Sequence, residues 1–395
     1  MRVAIVHDWL TGMRGGEKVL KYVLELFPDA HLYTIFWKRG SVHPDIEKRT
    51  IHTSFLDRFP QTGGLYRFYL PFYPLAVESF DLREYDLVIS ISHCAAKGVI
   101  TPPHCLHISY VLTPMRYAWT LGEEYFGRGQ LRWPVKTMLS PLLSVLRTWD
   151  AVSSQRVDHF IADSRHVQRR IAKFYRRAST VVYPPVEVEK FRVSDAVGDY
   201  YLYLGSFAPY KRADLAIEAC LRSGSNLYLI GRGQDEKKLR KLAGGSRSIR
   251  FLGWLEEEPL VEYLSGARAL LFPGEEDFGI VPLEALACGR PVLAYARGGV
   301  LETITTDSDR KKFIDEERGM PLFKEPVRVG GGVLFPSEDV STIIRGMDLI
   351  ESIDYDPHSL RDMALGFSVE VFKEGFWSEV ERCLKSWEGT DAKAL

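Results

Sequence analysis

The chain has 395 residues, 46% of them hydrophobic and 26% charged, values of a folded globular protein with two to three domains at roughly 150 residues each. A disordered chain, a collagen-like chain and a small disulfide scaffold are thereby excluded. Lys and Arg number 51 against 52 Asp and Glu, so no overall basicity points to nucleic acid as a partner.

That balance hides a split. Residues 1–185 hold 24 basic and 16 acidic side chains, a net of +8, and the rest hold 27 and 36, a net of −9. Two units with different partners are expected. The five cysteines, Cys94, Cys105, Cys220, Cys288 and Cys383, are scattered and form no C-x-x-C pair. This argues against a disulfide framework or a structural zinc site and for a reducing compartment.

The start, MRVAIVHDW, is cut by Asp8 and does not read as a signal peptide. The first strand predicted is VAIV (3–6), then a glycine-rich turn GMRGGE (12–17) before the helical pattern KVLKYVLELF. The rhythm is looser from 37 to 80. Strands follow at DLVISIS (86–92), HISYV (107–111) and HFIAD (159–163). The uncharged stretch Gly98–Met115 contains Pro102, Pro103 and Pro114 and cannot be a spanning helix. A cytoplasmic protein, not integral to a membrane, is expected. Aromatic and basic stretches at 67–77, 132–147 and 165–177 read as core or solvated helix, or as a peripheral contact with the inner face of an anionic membrane.

A polar stretch with two prolines at 181–201 marks the domain boundary, giving 1–185 and 186–367. Beyond it strands are predicted at 200–205, 226–231, 249–253, 269–274 and 291–296, with amphipathic segments at 211–222, 235–243 and 258–267. Continuously apolar strands alternating with helices indicate an α/β protein with parallel, doubly wound sheets. Residues 305–331 read as a charged, irregular insertion. A final helix over 368–387 puts Phe372, Phe376, Val380 and Leu384 on one face.

Three segments could bind an anion. In GEEDFGIVPLEALACG (274–289) a strand end leads into a helix beginning near Gly279–Val281, with Pro282 suited to its first turn. Such a helix start in a parallel sheet is a ready phosphate site. Glu276 and Glu284 bracket it and would suit sugar and ribose hydroxyls; alternatively Glu276 caps the helix and Glu284 lies on its solvated face. In GSFAPYKR (205–212) Lys211 precedes a helix whose positive end disfavours it, a conflict an anionic ligand would resolve, unless Lys211 is simply exposed. The glycines of 12–17 allow close backbone approach. Neither this turn nor GRG (231–233) is a G-x-G-x-x-G dinucleotide fingerprint. His93, at the C-terminal end of a strand, is a candidate ligand contact or a structural histidine.

Together these segments resemble the retaining glycosyltransferases of family 4, with EDFGIVPLE (276–284) standing for the signature E-x-F-G-(x)4-E. ALACGRPVLAYARGGVLE, PYKRADLAIEA, LIGRG, FLGWL, VVYPPV, FIADS, GGVLF and GFSVEVF follow the family's order over nearly the whole chain. GGEKVL, ISISHCAAKG and TPMRYAW are similar to the WbaZ-type mannosyltransferases of surface polysaccharide assembly. The resemblance implies the GT-B fold, two facing Rossmann-like domains, with the helix 368–395 crossing back to the first. It implies transfer of a hexose, with mannose from GDP-mannose the first candidate, to a polysaccharide or lipid-linked glycan, with retention and without a metal or other cofactor.

It further implies that Glu276 contacts the transferred sugar, Glu284 the ribose, and that Lys211 neutralises the leaving diphosphate. Gly15 and Gly16 would approach the phosphates from the first domain. Ser206, Arg212, Gly231, Phe278, Gly279, Ile280 and Val281 would complete the donor site, and His93 and Arg116 would lie on the acceptor side. Two positions depart from the pattern: Ser206 stands where relatives carry Arg, and Leu112 where they carry His. Arg212 or Arg232 is the expected substitute cation. A degenerate binding or scaffolding subunit and a nucleotide-sugar epimerase are the alternative readings.

Overall fold

A computed structural model of the chain describes residues 1–60, 69–119, 133–194 and 196–394. They divide into two compact units, Met1–Pro185 with Glu370–Leu395, and Val186–Val369.

The first unit is built on strands β1 (Val3–Leu10), β2 (His31–Trp37), β3 (Ile51–Thr53), β4 (Leu87–Ser92), β5 (Leu106–Val111), β6 (His159–Ala162) and β7 (Thr180–Val181). Their order in the sheet is β3-β2-β1-β4-β5-β6-β7, and every pairing is parallel. β4 and β5 are buried along their whole length, as strands covered on both faces must be. The sequence order reverses between β1 and β4, so a crevice opens beyond the C-terminal ends of those two strands. The closing helix, Val369–Ala394, belongs to this unit and buries Phe372, Phe376, Val380 and Cys383. The rings of Phe372 and Phe376 lie 6.0 and 5.9 Å from that of Tyr110 on β5. Cys383 takes the buried place that periodicity gives to Leu384, which is only half-buried.

The second unit contains β8 (Tyr201–Leu204), β9 (Leu227–Ile230), β10 (Ile249–Gly253), β11 (Ala269–Phe272), β12 (Val292–Tyr295), the short pair β13 (Ile314–Asp315) and β14 (Met320–Pro321), β15 (Val327–Val329) and β16 (Gly332–Phe335). Its main sheet runs β10-β9-β8-β11-β12-β16-β15. Only β15 is antiparallel, against β16. The order reverses between β8 and β11.

The charged segment 305–331 is not irregular as its composition suggested. Thr306 and Asp309 form a reciprocal capping box that starts the helix Asp307–Phe313, β13 and β14 pair antiparallel, and β15 extends the sheet. Charge there marks a solvated helix, not a missing element. Likewise β2 and β3 fill the stretch where no strand was predicted.

Candidate functional site

In the second unit the crevice at the β8/β11 reversal is lined by loops that only glycine permits. Gly231, at φ +141°, packs so closely that a Cβ would stand 1.9 Å from the carbonyl oxygen of Gly205. A Cβ on Gly274 would stand 2.7 Å from Lys211 Cα. These contacts draw the turn after β8 against the turn after β11. They bring Lys211 Nζ to 2.7 Å from Glu276 Oε1. Both side chains are largely covered, at 16% and 20% exposure, so the pair is worth more than an open surface bridge.

Lys211 is therefore not simply exposed. Nor does it open the helix: it ends a 3-10 turn, Pro209–Lys211, and the helix begins at Ala213 after Arg212 in the left-handed region at φ +52°. Beneath the pair, burial and then the Glu276 carboxylate push the Tyr203 hydroxyl well above the usual tyrosine range. It stays protonated and donates to the carbonyl of Ser206 at 3.3 Å.

The helix after Glu276 is Ile280–Ala287, with Gly279 as its N-cap at φ +90° and no side chain capping it. Glu276 is thus paired with Lys211 and is not a helix cap. Glu284 lies on the inner face, 7% exposed, and not on a solvated one. Ile280 and Val281 contribute the first backbone N–H groups, which an α-helix leaves without intrahelical partners. The Phe278 ring packs inward, 5.8 Å from that of Phe367.

Ser206 is exposed. Arg212 is held by two acids: its Nη1 donates to Glu338 Oε2 at 2.6 Å and its Nε to Asp214 Oδ1 at 3.2 Å. That engagement counts against Arg212 as the substitute cation, while Arg232 is exposed.

In the first unit the β1/β4 reversal gathers Asp8, His7, Glu17 and His93. The Asp8 carboxylate is fully buried and accepts four backbone N–H groups, from His93 (2.7 Å), Cys94 (2.9 Å), Ala95 (2.6 Å) and Ala96 (2.8 Å). His93 Nδ1 lies 3.1 Å from its Oδ2. His7 Nε2 is 3.8 Å from Glu17 Oε1. Burial works to raise the Glu17 carboxyl, but His7 and His93 outweigh it and hold the group below the usual range.

Gly15 and Gly16 open the helix Gly15–Leu26. A Cβ on Gly16 would meet Leu112 Cδ1 at 2.9 Å and His7 Cε1 at 3.3 Å. Arg116 begins a four-residue helical turn, Arg116–Trp119. Asp8 and Glu17 escaped sequence reasoning because Asp8 meets residues 85–88 positions away; only the β1–β4 adjacency unites them.

One cluster among the described residues has metal-ligand composition: His159, Glu379 and Cys383 in the first unit. Arg382 donates to both Glu379 oxygens, at 2.7 and 2.9 Å, and approaches His159 Nε2 to 3.3 Å. The guanidinium fills the place of a cation, so the cluster fastens the last helix to β6 and β7. Of the stretches at 67–77 and 132–147, residues 67–68 and 132 lie outside the described residues.

Residues 188–317 match the family described as glycosyl transferases group 1. The chain carries a group 1 glycosyltransferase domain. The chain is 28% identical over 152 residues to an uncharacterized glycosyltransferase of Methanocaldococcus jannaschii, covering 37% of this chain and 42% of that protein. It is 37% identical over 111 residues to a GDP-mannose-dependent monoacylated alpha-(1-6)-phosphatidylinositol monomannoside mannosyltransferase of Corynebacterium glutamicum, covering 25% and 29%. The matches thus span less than half the length of these relatives.

Among solved structures, the fold is that of Anabaena HepE in complex with UDP (TM-score 0.66, 15% identity, 97% of this chain and all of that one). It is equally that of sucrose-phosphate synthase from Thermosynechococcus elongatus (TM-score 0.65, 14% identity, 98% of this chain and all of that one). The doubly wound α/β architecture expected for the glycosyltransferase domain and its neighbour is the one observed. No described helix is long and apolar enough to cross a membrane.

Proposed function

We propose that the chain is a hexosyltransferase that takes its sugar from a nucleotide-sugar, with GDP-mannose the donor to try first, and delivers it with retention to a glycan or lipid-linked acceptor. The observation that carries this is the Lys211–Glu276 pair set beside the uncapped start of the helix Ile280–Ala287. The ammonium and the helix N-terminus offer positive charge to a departing diphosphate. A diphosphate competing for Lys211 releases the Glu276 carboxylate to accept hydrogen bonds from the sugar hydroxyls. Glu284, on the inner face of the same helix, is the candidate for the ribose. The mannosyltransferase relative favours GDP-mannose; the HepE structure, which holds UDP, makes uridine donors the second choice.

No metal is required on this reading, because Lys211 and the helix start supply the charge. Exposed Phe55, Phe59, Phe72 and Leu75 in the first unit suit a peripheral contact with a membrane carrying the acceptor.

The test is sugar transfer from GDP-mannose and UDP-glucose by the wild type and by Glu276→Ala. Loss of transfer with melting unchanged supports the reading; transfer at the wild-type rate in the variant overturns it. Multiple turnovers by the wild type exclude a scaffolding subunit, and an isomerised nucleotide-sugar would favour an epimerase instead.

A further inference from the structure

We propose that Arg212 is a positioning residue of the donor site: it touches no part of the donor and holds the turn that sets Lys211 against Glu276, gripping it through Asp214 and Glu338. The proposal rests on the hexosyltransferase reading and deepens it, separating the cation that meets the diphosphate from the cation that keeps it in place.

Lys211 ends the 3-10 turn Pro209–Lys211, and the helix Ala213–Ser223 begins two residues later. The chain changes direction at Arg212, whose backbone lies at φ +52° and ψ +39°. Glycine enters this left-handed region freely, and a residue with a Cβ does so at a cost. On the other side of Lys211, Gly274 lies so close that a Cβ there would stand 2.7 Å from Lys211 Cα, which blocks any shift toward the turn after β11. The course of the chain at 212 therefore decides where the Lys211 ammonium sits.

The guanidinium offsets the backbone cost. Its Nε and Nη2 donate to Asp214 Oδ1 and Oδ2, each at 3.2 Å, and its Nη1 donates to Glu338 Oε2 at 2.6 Å. Charge-assisted bonds from a rigid fork fix side chain and backbone together. Only a quarter of the arginine side chain is exposed, so solvent screens this grip less than it would an open surface pair. To meet a phosphate, Arg212 would have to give up both acids and leave two unpaired carboxylates at the approach of an anion.

Glu338 supplies a distant anchor. It follows β16, and β11 and β12 stand between β8 and β16 in the sheet. The helices that follow β8 and β16, Ala213–Ser223 and Val340–Glu351, pack on each other. The Arg212–Glu338 bond ties the chain just ahead of one helix to the chain just ahead of the other, all within the second unit. A phosphate ligand and a positioning residue then differ in a testable way: releasing Arg212 from Glu338 helps the first and harms the second.

Two measurements on the full chain test this, with Arg212→Ala, Arg212→Gly and Glu338→Gln beside the wild type. The first is the melting shift across a titration with GDP-mannose or UDP-glucose, each protein against its own baseline. Arg212→Ala keeps the backbone cost and loses the grip. It is expected to raise the donor Kd about tenfold, as when the competent turn falls to roughly a tenth of the molecules. Arg212→Gly, free of that cost, is expected to recover part of the loss, and Glu338→Gln to weaken donor binding. Equal losses in the alanine and glycine variants, or a donor bound by Glu338→Gln as tightly as by the wild type or more so, overturn the proposal. Glu338→Gln leaves the backbone at 212 untouched and decides the matter if Arg212→Ala does not fold.

The second measurement needs no donor. In 1H–15N NMR of the lysine ammonium groups, with Lys211→Ala identifying the resonance, the pair with Glu276 slows exchange at Lys211. That signal is expected to weaken in Arg212→Ala and in Glu338→Gln; a signal unchanged in either overturns the proposal. A wild type whose melting no donor shifts defeats the hexosyltransferase reading instead, and the lysine signal still decides the role of Arg212.

Discussion

Gly298 and Glu276 are packed backbone to backbone: a Cβ on Gly298 would stand 2.1 Å from the Glu276 carbonyl oxygen, and the next N–H, of Gly299, donates to that same oxygen at 2.9 Å. The glycine pair after β12 thereby fixes where Glu276 begins and where its side chain can meet Lys211. Gly298 also has φ +78°, a conformation that costs an L-residue about 1–2 kcal/mol. Gly298→Ala should lower the melting temperature by several degrees and reduce donor affinity together. A variant with wild-type melting and wild-type donor binding would show that the contact does not position Glu276.

The first unit buries an ion pair beneath the turn that presents His93. Lys97 Nζ lies 2.9 Å from Asp150 Oδ1, both essentially inaccessible. Trp119 and Tyr175 donate to the other Asp150 oxygen at 2.7 and 2.9 Å, and Lys97 also donates to Ser153 Oγ at 3.0 Å. Removing one member strands a buried charge, at a cost of about 3–5 kcal/mol. Lys97→Met should therefore lower melting by roughly 10 °C, and Lys97→Met with Asp150→Asn should lose less than the sum of the two. Calorimetric melting of the three variants decides; strictly additive losses would contradict a coupled pair.

His107, fully buried on β5 with its Nε2 2.9 Å from Ser90 Oγ, sets a pH dependence. Burial pushes its imidazole down to about 3, against about 6.5 in an unfolded chain. As pH falls below 6.5 the unfolded state takes up a proton that the folded state refuses, so stability declines from pH 6.5 toward 3 and is unaffected by this group above it. His107→Gln should remove that part of the slope. Urea unfolding of both proteins at pH 7.5 and pH 5 measures it; an equal loss in both would contradict the assignment.

Much of this organisation is legible in the sequence where local signals are strong. The second unit's strands at 200–205, 226–231, 249–253, 269–274 and 291–296 are short apolar runs bounded by glycine or proline, and β8 to β12 fall within them. The turn–helix context of Glu276 and Lys211 is equally local. What sequence order cannot convey is which distant turns meet. Asp8 and His93, or Lys97 and Asp150, are brought together only by strand order. β2 escaped prediction although Pro28 and Asp29 set HLYTIFW off from the preceding helix. Glu284 could be given either face until the packing of its short helix was known.

On the proposed reading, Lys211 and a helix start supply the charge at the diphosphate and no divalent ion is needed. Transfer should accordingly persist in EDTA within about twofold. Abolition by EDTA with recovery on adding magnesium or manganese would contradict that arrangement.

The most direct test of the proposed donor site is the melting shift produced by GDP-mannose and UDP-glucose on the wild type and on Lys211→Ala. A donor at a hundredfold excess over its Kd stabilises the folded state by about 2.7 kcal/mol. The expected result is a donor-selective rise in the wild type that disappears in Lys211→Ala. An equal rise in both proteins, or none with either donor, would contradict a diphosphate site built on Lys211 and Glu276.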